Sequence, residues 1–219
     1  MRQLKILTFN VRQWTRDLNK SDKFYWKDRA VKMAEFIREQ DPDIILFQEM
    51  TFKMSLFIPK EYKKACKTSI SHHVYCRKEY KVKKTSWHIH RCKALIQTTD
   101  GDLINAISVH SHWDEKIYTK VAEQLKKDCI SSPKIINIVG GDWNTDPDNM
   151  KNIIKPYTIV KSNTITFHNY TNPEQFGELD YFCIYHLAYD TPPKFKIKCF
   201  DDQFEKISDH LPVILTMTR

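Results

Sequence analysis

The chain has 219 residues, of which 41% are hydrophobic and 28% charged, and a chain of this size can bury a core without disulfides or a structural metal. It contains only four glycines, so neither a G-x-G-x-x-G dinucleotide loop nor a G-x-x-x-x-G-K phosphate loop exists, and any phosphate must be held by side chains or a metal. The net charge of +8 is compatible with a polyanionic partner, and equally with a generally lysine-rich surface.

The hydrophobic pattern predicts more strands than helices. Two amphipathic helices are predicted over residues 25–39 and 114–130. Residues 135–139 are entirely apolar, which indicates a strand buried on both faces. Because strands and helices are mixed along the chain, we expect one α/β domain, residues 1–219, with two sheets. In chain order, the strands are predicted over residues 4–11, 44–48, 73–77, 80–84, 94–98, 103–111, 135–139, 164–168, 179–184, 194–200 and 212–217.

The cysteines and the start of the chain indicate an intracellular protein. The sequence begins directly with a strand pattern, without a signal peptide or an apolar run long enough to cross a bilayer. Its six cysteines include no C-x-x-C pair, and several lie in strand-like stretches. We therefore expect buried, reduced thiols in a cytoplasmic or nuclear monomer, with disulfides as the alternative that an even count leaves open.

Polar residues collect at the ends of the predicted strands, where reactive groups are usually held. Each alone has an ordinary explanation as a turn former or a solvated residue. As a set, carboxylates that meet at one sheet edge repel each other unless a cation neutralises them, and oxygen ligands without thiolates suit Mg²⁺ or Mn²⁺. The residues are Asn10, Gln48, Glu49, His110, Ser111, His112, Asp142, Asn144, Asp180, Ser208, Asp209 and His210.

Six short motifs occur in a familiar order. They are Thr-Phe-Asn10, Phe-Gln-Glu49, Ser-His112-Trp-Asp114, Gly-Gly-Asp142-Trp-Asn144, Leu-Asp180-Tyr and Ser-Asp209-His210. In this order and spacing, over about residues 4–217, the chain resembles the endonuclease/exonuclease/phosphatase superfamily, which includes deoxyribonuclease I and exonuclease III-type nucleases. The resemblance implies a four-layer α/β/β/α sandwich of two mixed sheets flanked by helices, with the site at one end of the sheets.

The resemblance also implies a Mg²⁺-dependent (or Mn²⁺-dependent) phosphoesterase, and a role for each residue. Phosphoryl transfer needs a neutralised phosphate, an aligned water and a stabilised leaving oxygen, which metal and side chains can supply. Asp142 or His210 could take the proton of the water, and we favour Asp142. The implied metal ligands are Glu49, Asn10 and Asp209; the implied phosphate contacts are Asn144, His112 and His210, with Asp180 orienting His210 and Arg12 as a further substrate-binding candidate.

Two departures from the family pattern leave the substrate open. The usual Asn-Thr-His-Leu is replaced by His110-Ser-His112-Trp, and on a continued strand both histidines would point to one face. The helix expected within residues 51–62 looks abbreviated. The basic charge and the short loops favour a nuclease acting on DNA or RNA. The alternative is a phosphatase acting on a small substrate, a sugar or inositol phosphate.

Two functions other than a phosphoesterase are also compatible with some of these residues. His110-x-His112-x-Asp114 invites a zinc hydrolase of metallo-β-lactamase type, although Glu115 stands where that motif needs a histidine. A catalytically inactive binding protein is the other.

Several further segments are given ordinary roles. Residues 87–90 are expected to be strand surface, and residues 60–64 and 78–84 to be solvated faces. Trp14 and Trp113 could border the site, whereas Trp143 is expected to point into the core.

Overall fold

Two six-stranded sheets stacked face to face form the centre of the molecule. The computed structural model describes residues 3–12, 25–67, 71–169, 174–187, 193–203 and 206–218. Its elements are β1 Gln3–Asn10, α1 Trp26–Gln40, β2 Ile44–Gln48, α2 Phe52–Ser55, β3 Tyr62–Lys67, β4 His73–Arg77, β5 Lys81–His88, β6 Arg91–Gln97, β7 Leu103–His110, α3 Glu115–Asp128, β8 Ile135–Asp142, α4 Pro147–Met150, β9 Thr158–Val160, β10 Phe167–His168, β11 Phe176–Gly177, β12 Asp180–Tyr185, β13 Lys194–Cys199 and β14 Val213–Thr218.

Both large sheets are mixed. The first has the order β13-β14-β1-β2-β4-β3 and the second has the order β5-β6-β7-β8-β12-β9, while β10 and β11 form a separate small hairpin. Within each large sheet one pair of strands is parallel, β1 with β2 and β7 with β8, and the other pairs are antiparallel. The predicted architecture of two mixed sheets is therefore confirmed.

Three apolar layers hold the sheets and helices together. The middle layer lies between the sheets and combines residues such as Ile6 and Leu46 of the first sheet with Ile138 and Phe182 of the second. The outer layers pack α1 on the first sheet and α3 on the second. Both helices bury one apolar face, as their periodicity predicts. This arrangement is the α/β/β/α sandwich that the resemblance implied.

The end of α3 nearest the polar cluster is fixed by a side-chain cap. The Asp114 carboxylate accepts a hydrogen bond from the Lys116 amide and so satisfies one of the first unpaired N–H groups of the helix. The predicted helix over residues 114–130 is accordingly observed as Glu115–Asp128, with Asp114 as its cap. The abbreviated helix expected after Glu49 is also observed, because α2 has four residues.

Several boundaries differ from the predicted ones. Strand β3 was not predicted, since its lysines indicated a solvated face; it is an edge strand that buries only Tyr62 and Cys66. The predicted strand over residues 164–168 is reduced to Phe167–His168. Strand β8 continues past residue 139, through two glycines, to Asp142. Residues 87–88 do end a strand, but residues 89–90 form the turn into β6.

The cysteines are free thiols, as expected. All six lie within the described residues and none forms a disulfide; four are buried and two, Cys129 and Cys199, are half-buried. Among the described residues, no helix combines the length and the apolar character that crossing a bilayer requires.

Candidate active site

The parallel strand pairs bring the polar strand ends to one edge of the sandwich. In the first sheet Asn10 at the end of β1 is paired with Gln48 at the end of β2. In the second sheet His110 at the end of β7 is paired with Asp142, which is paired in turn with Asp180 at the start of β12. Because parallel strands end at the same edge, residues far apart in the sequence meet there.

Gln48 joins the two sheets beneath this edge. Its side-chain amide donates to the Ser108 hydroxyl of β7 at 3.0 Å and to the Leu46 carbonyl at 3.1 Å, and Ser108 donates to the Phe47 carbonyl at 2.8 Å. Gln48 and Ser108 are fully buried. These bonds connect the ends of the two sheets directly, so that the residues just beyond them face each other at a fixed separation.

Asp142 is the centre of the polar cluster. Its Oδ2 accepts hydrogen bonds from the side-chain amides of Asn10 at 2.9 Å and Asn144 at 3.3 Å, and its Oδ1 accepts from the Asn144 backbone amide at 2.9 Å. The Nε2 atoms of His110 and His210 lie 3.4 and 3.6 Å from the same Oδ2. Although Asp142 is 1% exposed, four neighbouring side chains surround its carboxylate with donor groups.

Asp180 and His210 form a buried pair. The His210 Nδ1 lies 2.8 Å from Asp180 Oδ2, and the Asp180 backbone amide donates to the Thr166 hydroxyl at 2.9 Å. Burial raises the pKa of Asp180 to about 6, against the opposing effect of His210. Burial would lower the pKa of His210, but the charges of Asp180 and Asp142 outweigh it and raise that pKa to about 10. At neutral pH the pair is therefore a carboxylate and an imidazolium.

Glu49 reaches the cluster through Asn10. The Asn10 side-chain amide donates to Glu49 Oε1 at 3.2 Å as well as to Asp142, so one amide connects both carboxylates. Glu49 has a φ of +56°, and Arg12 and Asn144 each have a φ of +50°. Non-glycine residues seldom adopt this left-handed conformation, and those that do are concentrated at functional sites.

Arg12 and Asp209 form an ion pair at the side of the cluster. Arg12 Nη1 lies 3.4 Å from Asp209 Oδ2, and both side chains are mostly buried. The residues that follow β1 are held by Arg29 of α1, which is 1% exposed. Arg29 donates to the carbonyls of Val11 at 2.8 Å, Ile207 at 2.9 Å and Arg12 at 3.2 Å. Arg29 thus ties the end of β1 to the loop that carries Asp209.

Among the described residues, no hydrogen bond or ion pair joins His112 to this cluster. Strand β7 ends at His110, so the alternation that would have put both histidines on one face stops before His112. The His112 ring stacks on Trp113 with a centroid separation of 3.9 Å, and its Nδ1 accepts from the Asp114 amide at 3.0 Å. His110 is the histidine of this motif that lies beside Asp142.

Sequence reasoning gave no role to His72, which lies behind His110. The two rings have a centroid separation of 5.7 Å, and His72 Nε2 lies 3.0 Å from the Ile89 carbonyl. A carbonyl can only accept, so this nitrogen carries the hydrogen. Burial, together with the charge of His110, lowers the pKa of His72 to about 3, so it is neutral. Its partner comes from a turn 17 residues away, which no local pattern reveals.

Trp143 points into the core, as the sequence predicts. Trp143 is fully buried, stacks on Tyr181 and donates its indole N–H to the Tyr181 carbonyl at 3.0 Å. Trp113 is 76% exposed and stacks on His112. Trp14 lies outside the described residues.

The cluster includes side chains that could hold a metal ion. In the described part of the chain, the one group of three potential ligands with atoms within 4.8 Å of one another is Asp142, Asp180 and His210. Glu49, Asp209 and Asn10 add oxygen donors at the same edge, and no thiolate is among them, which fits a hard cation such as Mg²⁺ or Mn²⁺. Among the described residues, His110, His112 and Asp114 of the possible zinc motif do not form such a group.

Comparison with solved structures identifies the fold. The chain is similar to an endonuclease/exonuclease/phosphatase from Bacteroides vulgatus, with a TM-score of 0.78, 16% identity, and coverage of 100% of this chain and 99% of the other. The fold is that of the endonuclease/exonuclease/phosphatase proteins. The chain is also similar to D. rerio TDP2 in complex with a single-strand DNA product, with a TM-score of 0.77, 16% identity and coverage of 99% of each chain.

A third similar structure is a mannosyl-6-phosphatase from Bacteroides thetaiotaomicron (TM-score 0.69, 15% identity, 99% of this chain and 100% of the other). No family model matches the sequence. No curated protein matches it either. The similarity is therefore one of fold, at identities of 13–16% among the structures compared.

Proposed function

We propose that this chain is a single-domain, divalent-metal-dependent phosphoesterase, and that it cleaves phosphodiesters of nucleic acid. The observation that carries the proposal is the convergence of Asp142, Asn10, Glu49 and the Asp180–His210 pair at one sheet edge. Four of these five side chains are buried to 6% exposure or less, yet each has a hydrogen-bonding partner within the cluster. Burying ionisable groups costs stability, and such buried clusters are concentrated at functional sites.

Each side chain has a specific task in this reaction. Glu49, Asp209 and Asn10 would hold the metal, which supplies positive charge to the phosphate and the leaving oxygen when it is bound. Asn144 and His210 would donate hydrogen bonds to the phosphate oxygens. The Asp180 carboxylate keeps His210 protonated and fixes the orientation of its ring. His110, to which the resemblance assigned no role, lies 3.4 Å from Asp142 Oδ2, close to the 3.6 Å of His210.

Asp142 is the better candidate for taking the proton of the attacking water. A protonated His210 has no lone pair with which to accept a proton, and its pKa of about 10 keeps it protonated at neutral pH. Asp142 is a carboxylate already held by donors from Asn10 and Asn144. A base must be positioned and must have acceptor capacity, and of these two residues Asp142 meets both conditions.

Nucleic acid is the substrate class that the proteins of similar fold and the charge favour. One similar structure is a TDP2 complex with single-strand DNA, and the net charge of +8 suits a polyanion. A phosphatase acting on a small sugar phosphate is the second candidate, because another similar structure is a mannosyl-6-phosphatase.

The test is a substrate panel with Mg²⁺ or Mn²⁺ and with EDTA. Single-stranded DNA, duplex DNA, RNA, sugar phosphates and inositol phosphates would be compared for the wild type and for Glu49→Ala, Asp142→Asn and His210→Ala, with the exposed Asp148→Asn as the matched control. We expect metal-dependent cleavage of nucleic acid that each of the three variants reduces at least about 100-fold and that the control retains. Full activity in Glu49→Ala would refute the metal role, and cleavage of only small monoesters would refute the nuclease assignment.

A further inference from the structure

A groove beside the candidate active site has no role in the chemistry described above. It lies between the turn that joins β5 to β6 and the outer side of α3, and its cavity volume is about 380 Å³. Its walls include the apolar side chains of Ile89, Ile117 and Val121. Its charged lining comprises Lys120, Glu123 and Arg91, and Arg91 is paired with Asp128. Pockets that bind small ligands have volumes of about 300–1,000 Å³, so the groove is large enough for one.

The groove is connected to the active-site cluster by hydrogen bonds. The His110 amide donates to the carbonyl of His90, a groove residue, at 3.0 Å, and the His110 side chain lies 3.4 Å from Asp142. On the other side, the chain runs from His110 through Trp113 into α3, whose Ile117 lines the groove. A molecule that places its phosphate against Asp142 therefore has the groove next to it.

Trp113 is an exposed aromatic ring on the short segment that joins His110, at the end of β7, to α3. It is 76% exposed and stacks on His112, whose Nδ1 is fixed by the Asp114 amide at 3.0 Å. The preceding Ser111 is bound at both backbone groups, its amide to the Asp142 carbonyl at 2.9 Å and its carbonyl to the Asn144 side chain at 3.3 Å. A ring that is already ordered loses little conformational entropy when a planar ligand stacks on it.

We propose that Trp113 and this groove bind an unpaired nucleotide next to the reacting phosphate, which makes single-stranded nucleic acid the substrate class. The inference rests on the proposed phosphoesterase function and deepens it. An exposed aromatic ring offers a stacking surface for a base, and the groove beside it combines apolar walls with the Lys120 cation, which suits a backbone phosphate. In a duplex the base faces are covered by their neighbours, so a base within a duplex cannot stack on the Trp113 ring.

The test measures binding in EDTA, where binding does not depend on hydrolysis. Fluorescence anisotropy would compare a short labelled oligothymidylate with an abasic tetrahydrofuran oligomer of equal length, which has the same charge but no bases. We expect Trp113→Ala to weaken binding of the oligothymidylate about tenfold, as loss of one base stack does, with little effect on the abasic oligomer. Trp113→Phe should retain most of the affinity. Trp87→Ala is the matched control, because Trp87 is also an exposed tryptophan (59%) but lies in β5, outside the segment that joins His110 to α3.

A second pair of variants tests the groove itself. Lys120→Ala should weaken binding of both oligomers and lower the salt dependence of binding, whereas Lys127→Ala, an exposed lysine further along α3 that does not line the groove, should leave binding unchanged. Equal binding by Lys120→Ala and Lys127→Ala would overturn the role of the groove.

The inference and the proposed function fail in different ways. If wild type binds both oligomers equally, or if Trp113→Ala weakens both to the same extent, base stacking is refuted even where metal-dependent cleavage persists. If no phosphate ester is cleaved but Trp113→Ala still selectively weakens the oligothymidylate, the phosphoesterase proposal fails and the binding site stands.

Discussion

Gly141 directly precedes Asp142 at the end of β8, and its substitution tests how closely β8 packs against β7. A Cβ atom added at Gly141 would lie 1.9 Å from the Val109 carbonyl oxygen and 2.8 Å from Val109 Cγ1. The carbonyl belongs to the paired strand β7, so it cannot rotate away, and β7 and β8 would have to separate. Overpacking that flexible side chains can absorb costs about 1–3 kcal/mol, and a clash with backbone should exceed that range.

Gly140 provides the matched comparison. A Cβ there would meet Phe182 at 2.6 Å and Leu46 at 2.9 Å, which are side chains that can shift within the layer between the sheets. We expect Gly140→Ala to lower the melting temperature by about 5 °C and Gly141→Ala by about 10 °C or more, since about 1 kcal/mol corresponds to about 2–4 °C for a chain of this size.

Thermal unfolding followed by circular dichroism measures both shifts. Activity assayed well below both melting temperatures should fall further for Gly141→Ala, because strain in β8 moves the adjoining Asp142 relative to Asn10. A Gly141→Ala protein with the melting temperature of the wild type would show that β7 and β8 are not packed as closely as the structure has them, and would refute the reasoning.

Three further predictions follow from buried polar contacts. Replacing Arg29 by Met removes three bonds to loop carbonyls and should lower the free energy of unfolding by about 3 kcal/mol or more, as measured in urea, with partial recovery in Arg29→Lys; an unchanged urea midpoint would exclude the proposed tether. Asp180→Asn should reduce kcat at least about 100-fold without unfolding the protein, and a kcat within twofold of wild type would contradict the role of the pair with His210. Burial would raise the pKa of Asp128, but hydrogen bonds from Arg91 and Lys93 outweigh burial and lower that pKa below its ordinary value of 3.8. The Asp128 carboxylate therefore stabilises the fold above pH 3.8, and this stabilisation is lost as the pH falls through the lowered pKa. The urea midpoints of wild type and Asp128→Asn should therefore differ at neutral pH and converge in acid; a constant difference would contradict this.

The sequence was sufficient to predict an α/β domain with two sheets because its strands carry strong local signals, whereas the four-layer sandwich was implied by the resemblance to the endonuclease/exonuclease/phosphatase superfamily. The apolar run in β8 and the periodicity of α1 and α3 need no knowledge of distant residues. The meeting of Asn10, Asp142 and Asp180 at one edge followed from the position of each polar residue at a strand end. Strand β3 could not be predicted in this way, because it lies at a sheet edge and its lysines face solvent.

What the sequence could not provide is the set of contacts between distant loops. Whether His110 or His112 faces Asp142 depends on where β7 ends, and that is decided by pairing with β8. Arg29 resembles any charged residue on an amphipathic helix, yet it is buried by carbonyls of residues 11, 12 and 207. Such partners are fixed by the tertiary fold, which no local pattern of residues encodes.

Three positions at the site have a backbone conformation that favours glycine but are occupied by other residues. Arg12, Glu49 and Asn144 all have positive φ, a conformation that glycine adopts at no steric cost and that other residues adopt at about 1–2 kcal/mol each, asparagine less. All three follow strand ends at the same edge of the sandwich, where a sharp turn of the chain directs a side chain back over the sheets. Glycine would relieve the strain at these positions but would remove a carboxylate, a guanidinium and an amide from the cluster. The hydrogen bonds of Asn10 to Glu49, of Asn144 to Asp142 and of Arg29 to the Arg12 carbonyl hold these turns in place. The fold thus retains strained polar residues where unstrained glycines would fit, and a cluster that is unfavourable for stability is the arrangement expected of an active site.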